Sequence, residues 1–205
     1  MRTSLLLVGW LVHLALVGGA SALTIDSFDS GDAFSIENLG SGASFTQPAD
    51  VLGGSRTVET SNRVEFDPSL GLDFIDTPIA NNGFVEITYD LGGMDLTPNG
   101  VDDGTGFYRV SFERVNFRPG TGIANIVVFA DGAQSAELSA TEGIVLLPLS
   151  HGDPTDIDVL VLRMQPVSSS VDDRFRITDF RVVPEPSTAF LLATGLVGLA
   201  ARRKH

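Results

Sequence analysis

The stretch Gly83–Leu91, GFVEITYDL, decides the fold class, because its apolar and polar residues alternate without a break. One face carries Val85, Ile87, Tyr89 and Leu91, and the other carries Glu86, Thr88 and Asp90. Alternation with a period of two is typical of a β-strand that buries one face. The stretch therefore predicts a strand whose tyrosine points into a core.

Four further segments on the C-terminal side of this strand also read as strands. They are FYRVSFERVNF (107–117), IANIVVF (123–129), IDVLVLRM (157–164) and RFRITDFRVV (174–183). The first has Tyr108, Val110 and Phe112 on one face and changes phase at Val115 and Phe117, which indicates a bulge or a move between sheets. The second and third are apolar on both faces, as central strands are. The fourth is predicted to be the last strand of the domain.

Turn residues separate these segments, and no helical periodicity extends over ten residues between 23 and 183. Asn81-Asn82-Gly83 precedes Phe84, and Asp131-Gly132 lies between two strand-like runs, both as in β-hairpins. About ten short strands of this kind predict an all-β fold, a single antiparallel β-sandwich with jelly-roll topology. We find neither an internal repeat nor a long linker, so residues 23–183 are predicted to be one domain.

The negative charge of the chain argues against polyanionic partners. The 205 residues carry a formal net charge of −13, and 25 of the 26 acidic residues lie in residues 23–183 together with nine arginines and no lysine. Such a surface repels the phosphates of nucleic acids and anionic lipid headgroups. Because the chain has no cysteine, disulfides, thiol catalysis and thiolate metal sites are excluded as well.

The N-terminal 22 residues have the three parts of a secretory signal peptide. Arg2 provides the positive charge, residues 5–17 are apolar apart from Gly9 and His13, and Ala20-Ser21-Ala22 provides small residues for signal peptidase. The alternative is an uncleaved anchor, but the apolar segment is short for a membrane span. We predict recognition through Ala20 and Ala22 and cleavage by signal peptidase after Ala22.

The last 22 residues also form three parts. Pro184-Glu185-Pro186 is followed by the uncharged run Ser187–Ala201 and then by Arg202, Arg203 and Lys204. As a helix, the uncharged run reaches about 22 Å, less than the ~30 Å hydrocarbon core of a bilayer. The basic cluster would stop transfer and hold the C-terminus in the cytoplasm, so the run predicts a short transmembrane helix that anchors weakly in the inner membrane.

In order and spacing, this tail closely resembles the PEP-CTERM sorting signal of Gram-negative bacteria. The resemblance covers residues 184–205 alone, and the alternative is an ordinary C-terminal anchor after a proline-rich linker. It implies that exosortase, a membrane enzyme, removes the tail during export, and that the protein accompanies exopolysaccharide production. It also implies transient anchoring in the inner membrane, followed by release to the cell surface or the extracellular space.

Two acidic groups are candidates for a structural calcium site, since Ca²⁺ takes six to eight oxygen ligands. The first is the loop with Asp90, Asp95, Asp102 and Asp103. The second combines Asp26, Asp29 and Asp32 with Asp172, Asp173 and Asp179, which meet if the first and last strands are neighbours. The first group does not have the D-x-D-x-D-G spacing of a calcium loop, and a solvated loop explains it. The second group rests on analogy with carbohydrate-binding jelly rolls, many of which hold a structural calcium in such a place. We therefore expect no metal and no other cofactor.

Enzymatic function has weak support in the sequence. His151 is the one histidine of residues 23–183, and it lies in a polar turn next to Ser150 without the G-x-S-x-G pattern of a nucleophile elbow. Nothing distinguishes one pair of carboxylates from another as a glycosidase pair. We therefore expect no catalytic residues.

The sequence thus predicts a signal peptide (1–22), a β-sandwich (23–183) and a sorting signal (184–205). The function expected is that of an exported structural protein of the cell surface or of an exopolysaccharide-containing biofilm matrix. One alternative is a carbohydrate-binding module of the same pathway, although Tyr89 and Tyr108 are predicted to face inward and Trp10 leaves with the signal peptide. A secreted polysaccharide hydrolase or lyase is a further alternative.

Overall fold

The structure, a computed structural model, describes residues 22–37, 42–75, 83–97, 106–115, 123–149, 153–168 and 174–184. The predicted signal helix and transmembrane helix lie outside these ranges. Across the ranges described, no helix has the length and apolar character that a membrane crossing requires.

The described residues form fourteen strands in two sheets, and all strand pairs are antiparallel. Sheet I contains, in spatial order, β12 (Gly143–Pro148), β8 (Phe107–Arg114), β14 (Arg174–Val183), β6 (Gly71–Ile75), β5 (Arg63–Asp67) and β2 (Phe34–Glu37), with β1 (Leu23–Asp26) paired to β14. Sheet II contains β10 (Ala133–Gln134), β9 (Ile123–Ala130), β13 (Ile157–Ser168), β7 (Val85–Met94), β4 (Ser55–Thr60) and β3 (Ala43–Pro48), with β11 (Leu138–Ala140) paired to β9. The predicted antiparallel β-sandwich is confirmed.

The core lies between the two sheets and is formed by the inward face of each alternating strand. In β7, Val85, Ile87 and Tyr89 are fully buried, while the intervening residues reach the surface, as predicted. The inward residues of β8 are Tyr108, Val110 and Phe112, also as predicted. The strand ends at Arg114, before the phase change predicted at Val115 and Phe117, and Phe117 lies outside the described residues.

The predicted central strands occupy interior positions. β13 lies between β9 and β7, and β9 lies between β13 and the short strands β10 and β11. The Asp131-Gly132 hairpin is confirmed: it joins β9 to β10, and both residues have positive φ, 48° and 80°. The turn predicted at Asn81-Asn82 lies outside the described residues. Fourteen strands replace the expected ten because β1, β2, β10 and β11 have only two to four residues, too few to show alternation.

The first and last strands, β1 and β14, are neighbours. Leu23 pairs with Val182 and Thr24 with Arg181, so β1 begins where β14 ends. The two predicted processing sites of the chain therefore lie next to one end of the sandwich.

Candidate functional site

The C-terminal end of β14 carries the first residue of the predicted sorting motif. Val182 pairs with Tyr108 and Val183 pairs with Phe107 of β8, and Pro184 follows directly. Ala22, before β1, is exposed, and Pro184 is partly buried. Of the other residues singled out for processing, Ala20, Glu185, Pro186, Arg202, Arg203 and Lys204 lie outside the described residues.

The outer surface of sheet I carries a row of alternating charges that the sequence analysis did not single out. We call it the arginine face, and it consists of Arg63, Glu65, Asp73, Arg174, Arg176 and Glu113. These residues occupy outward positions of β5, β6, β14 and β8, because their neighbours in sequence fill the core. The sequence shows this face in RVEFD (63–67) and RFR (174–176) as charged residues at every second position.

Asp73 is the centre of the arginine face. Its two carboxylate oxygens accept hydrogen bonds from Nε and Nη2 of Arg176 at 2.6 and 3.0 Å, and Nη2 of Arg174 lies 2.8 Å from Oδ2. The hydrogen bond to Asp73 raises the pKa of Arg176. Asp73 is nearly buried under these two guanidinium groups, so the centre of the face is a fixed ion-pair network.

The network continues to both sides of Asp73. Glu65 pairs with Arg174 and, at 2.5 Å, with Arg63, while Nη1 of Arg176 lies 3.3 Å from Glu113. Since most of the charges have a partner of opposite sign, the face is polar but close to neutral.

A second, smaller ion-pair group lies nearer the end of β14. Asp179 accepts hydrogen bonds from Nε of Arg181 at 2.9 and 2.8 Å and lies 3.5 Å from Arg109. The hydrogen bond to Asp179 raises the pKa of Arg181. Asp179 is therefore held by arginines on the outer surface of sheet I.

An open groove of about 420 Å³ borders the arginine face. It is lined by Ala33, Phe34, Ser35, Glu65, Phe66, Asp67, Leu70, Asp73 and Arg174. Leu70 is 51 % exposed, and Phe34 is partly exposed and stacks on Phe66 with a ring-centroid distance of 5.4 Å. The groove thus combines apolar surface with a guanidinium group and carboxylates, which are the groups that sugar hydroxyls contact.

A charged cluster in the core joins β1 to sheet II. Nη1 of Arg56 donates to both oxygens of Asp26 at 2.9 and 2.8 Å, and the hydroxyl of Tyr89 donates to Oδ2 of Asp26 at 3.0 Å. The backbone N–H of Phe28 donates to Oδ1 at 2.7 Å. The guanidinium carbon of Arg56 also lies 4.1 Å from the centroid of the Phe66 ring. Both carboxylate oxygens of Asp26 therefore accept hydrogen bonds from protein groups.

Burial controls the ionisation of this cluster. Burial of the Asp26 carboxyl raises its pKa, and the opposing attraction of Arg56 is smaller. Burial likewise raises the pKa of Tyr89 well above its usual value, and the neighbouring Asp26 charge acts in the same direction. Alternation in β7 predicts that Tyr89 faces inward, but it does not indicate which residue its hydroxyl contacts, because Asp26 lies 63 residues away in sequence.

Three of the described aspartates that were considered for calcium, Asp95, Asp26 and Asp179, have hydrogen-bond partners within the protein. Asp95 caps its own turn by accepting hydrogen bonds from N and Oγ1 of Thr97 at 2.8 and 2.5 Å, which lower its pKa. The pairing of β1 with β14 places Asp26 opposite Phe180, next to Asp179, but each aspartate is paired with arginine. Among the residues that the structure describes, no three His, Cys, Asp or Glu side chains form a group that could hold a metal ion. Asp102, Asp103, Asp172 and Asp173 lie outside the described residues, as does His151.

Both tyrosines of residues 23–183 are buried, as predicted. Tyr89 and Tyr108 are each at most 1 % exposed and pack against Phe180, with ring-centroid distances of 5.9 and 6.0 Å. Burial also raises the pKa of Tyr108. Neither ring is available to stack on a ligand at the surface.

Comparison with known proteins identifies the tail. The family model of the PEP-CTERM protein-sorting motif matches residues 182–204. This motif indicates export and sorting to the cell surface, with exosortase as the processing enzyme. No curated protein matches the chain in sequence.

Several solved structures are similar to this chain at low identity. The solution structure of CtCBM11 is 10% identical, with 82% of this chain and 97% of that chain covered and a TM-score of 0.41. The family 11 carbohydrate-binding module of the cellulase Lic26A-Cel5E of Clostridium thermocellum is 10% identical, with 82% and 96% covered and a TM-score of 0.36. The structure of PfGH50B is 11% identical, with 84% of this chain and 25% of that chain covered and a TM-score of 0.41.

Proposed function

We propose that this exported, exosortase-sorted protein is a structural or adhesive component of the cell surface or of an exopolysaccharide-containing matrix. The observation that carries the proposal is the position of the sorting motif: it starts in the last two residues of β14, the last strand among the described residues. The buried core of the described residues ends at Val182, so the part of the tail from Pro184 onward adds a sorting signal to a domain whose core is built without it. A jelly-roll sandwich anchored for a time in the inner membrane of a Gram-negative cell fits this role.

The experiment that tests the proposal compares variants of the tail in the native host. Changing Pro184, Glu185 and Pro186 together to alanine should leave precursor with its tail in the inner-membrane fraction, because the prolines keep the motif extended and Glu185 is the charge beside the membrane. Deleting residues 184–205 should instead release soluble protein into the periplasm. Neutral residues at Arg202, Arg203 and Lys204 should let part of the protein escape the membrane.

The deciding measurement is mass spectrometry of the C-terminal peptide in wild-type cells and in cells that lack exosortase. Loss of residues 202–205 only when exosortase is present supports the proposal. Surface protein that still carries Arg202 to His205 in wild-type cells would show an ordinary anchor.

A second candidate function, saccharide binding, is supported by the groove beside the arginine face. Arg174 and Glu65 offer hydrogen-bonding groups next to the exposed apolar surface of Leu70. The buried tyrosines count against strong planar stacking. A glycan array probed with residues 23–183 separates the two functions, and Leu70→Ser should reduce any binding while Leu138→Ser, in the exposed strand β11, should leave it unchanged.

A further inference from the structure

We propose that two copies of this chain associate through β12, with the free edge of this strand pairing antiparallel to the same strand of the second copy. The inference goes beyond the proposed function, because it concerns how the domain assembles and not how it is sorted.

The backbone of β12 is paired on one side alone among the described residues. β12 pairs with β8 without a register shift, and no described strand pairs with its other side. The N–H of Leu149 donates to the carbonyl oxygen of Gly106 at 3.0 Å, directly after the last pair of this ladder. Because hydrogen-bonded pairs alternate along an antiparallel ladder, Ile144 and Leu146 point their N–H and C=O groups toward the open side. An extended chain is the partner whose backbone satisfies such groups.

The side chains on the outer face of β12 are apolar and exposed. Ile144 is 58 % exposed and Leu146 is 42 % exposed, while Val145 and Leu147 are buried in the core. The strand carries no charged residue, and its proline occupies the last position, Pro148. An uncharged sheet edge with exposed apolar side chains is the kind that pairs with another strand.

The other edge strands that the structure describes are less suited to such pairing. β1 and β2 have four residues each, and β2 ends in the exposed Glu37. β10 and β11 have two and three residues. β3 is as long as β12, but its exposed Ser44 and Thr46 are polar. Short length and polar or charged side chains keep sheet edges from pairing, so β12 is the described edge that lacks this protection.

A second copy of β12 fits this edge. When two copies pair antiparallel around a two-fold axis at Val145, Ile144 of each copy lies opposite Leu146 of the other. This register aligns the free N–H and C=O groups of both strands, so the two Ile144–Leu146 pairs form four backbone hydrogen bonds. It also keeps outward side chains beside outward side chains. The contact closes at two copies, and both arginine faces lie on the same side of one continuous sheet.

The charges beside β12 favour the same partner. Arg109 pairs with Leu146 near one end of the strand, while Glu113 and Glu142 lie at the other end. Antiparallel pairing brings the basic end of one copy beside the acidic end of the other, so the two edges are complementary in charge. Residues 23–183 as a whole carry 25 acidic residues and nine arginines, and two copies therefore repel each other on average. An uncharged strand between ends of opposite sign reduces this repulsion.

Sedimentation equilibrium of the exported protein, purified from its host, measures the association. We expect a monomer–dimer equilibrium with a dissociation constant of roughly 1–100 μM, since one pair of strands buries less surface than a stable interface does. A monomer at every concentration up to ~500 μM would overturn the inference. Assemblies that grow beyond two copies would overturn it as well, because a two-fold contact closes.

A lysine at Ile144 tests whether β12 is the contact. Ile144→Lys should weaken dimerisation at least about tenfold, because it places a charge opposite Leu146 of the other copy twice in each dimer. Val167→Lys is the matched control and should change the dissociation constant less than about twofold. Val167 is also 58 % exposed, but it lies in β13, which has described strands on both sides. Equal dissociation constants for the two variants would overturn the assignment of the contact to β12.

Two double variants test the register of the pairing. Ile144→Lys/Leu146→Lys places like charges opposite each other twice, whereas Ile144→Lys/Leu146→Glu places opposite charges there. The second variant should dimerise at least about fivefold more tightly than the first. Both substituted positions are exposed, so circular dichroism should show the same β-type spectrum for each. Equal dissociation constants would show that the two residues do not face each other across the axis, and would overturn the proposed pairing.

Discussion

The buried ion pair of Asp26 and Arg56 shows how single residues hold the N-terminal strand in place. Both side chains are at most 1 % exposed, and Asp26 belongs to β1 of sheet I while Arg56 belongs to β4 of sheet II. A buried pair of this kind adds little to the free energy of unfolding compared with apolar residues of the same size. Removal of one partner, however, leaves the other as an uncompensated buried charge. The pair therefore acts mainly as a constraint on how β1 docks.

Asp26→Asn should lower the free energy of unfolding by about 3 kcal/mol, since it leaves the Arg56 guanidinium buried without a counter-charge. Urea denaturation monitored by circular dichroism measures the change. The exposed Asp29→Asn is the matched control and should differ from wild type by less than about 0.5 kcal/mol. The double variant Asp26→Leu/Arg56→Met should be more stable than Asp26→Asn, and equal instability of the two would contradict the role assigned to the unpaired charge.

The two buried tyrosines predict alkaline unfolding. Their folded pKa values are raised, so the stability they contribute is complete below the unfolded pKa of about 10 and is lost as pH rises above it. Above this pH, each tyrosine should lower the free energy of unfolding by about 1.4 kcal/mol per pH unit. Phenolate absorbance should appear together with loss of the β-type circular dichroism signal. Tyr108→Phe should halve the slope, whereas gradual ionisation near pH 10 with the fold intact would show that the rings are accessible.

At the scale of single elements, the turn before β4 depends on two adjacent glycines with different surroundings. Gly53 and Gly54 have φ values of +86° and +76°, a region that other residues rarely adopt. A Cβ at Gly53 would lie 2.1 Å from the carbonyl oxygen of Asp90 in β7, while a Cβ at Gly54 would meet nothing within 4 Å. The turn is therefore packed against β7 at one glycine and open at the other.

Gly54→Ala should lower the free energy of unfolding by about 1 kcal/mol through backbone strain alone. Gly53→Ala should cost a further ~1–3 kcal/mol, because the turn must move away from β7. Thermal melts of the two variants beside wild type provide the measurement. Equal losses in the two variants would mean that the turn does not contact β7 in solution.

Strands that show clear alternation could be predicted from the sequence, and strand partners could not. The inward faces of β7 and β8 follow from local pattern, since burial repeats every second residue. The arginine face combines Asp73 with Arg176, 103 residues away, and that meeting depends on the register of β6 and β14. Register and pairing are set by packing across the whole sandwich, so the outward charges could be located by sequence but their ion pairs could not.

At the scale of the whole molecule, residues 23–183 should fold without the two processed ends. The described core draws on both sheets and includes no residue before 25 or after 182. A protein of residues 23–183 should give a β-type circular dichroism spectrum and one cooperative melt. EDTA should leave the melting temperature unchanged, and a fall of several degrees would reveal a metal site in the native protein. A helical or non-cooperative signal would contradict the independence of the sandwich.

The antiparallel pairing of Leu23 with Val182 has one more consequence. The α-carbons of paired residues lie about 5 Å apart, so a short peptide can join the end of β14 to the start of β1. The sandwich is thus suited to circular permutation, with new chain ends opened at the exposed Thr141-Glu142 turn between β11 and β12. A permutant of this kind would carry the sorting tail on a different part of the domain. The position at which the chain is opened would then decide which face of the domain points away from the cell.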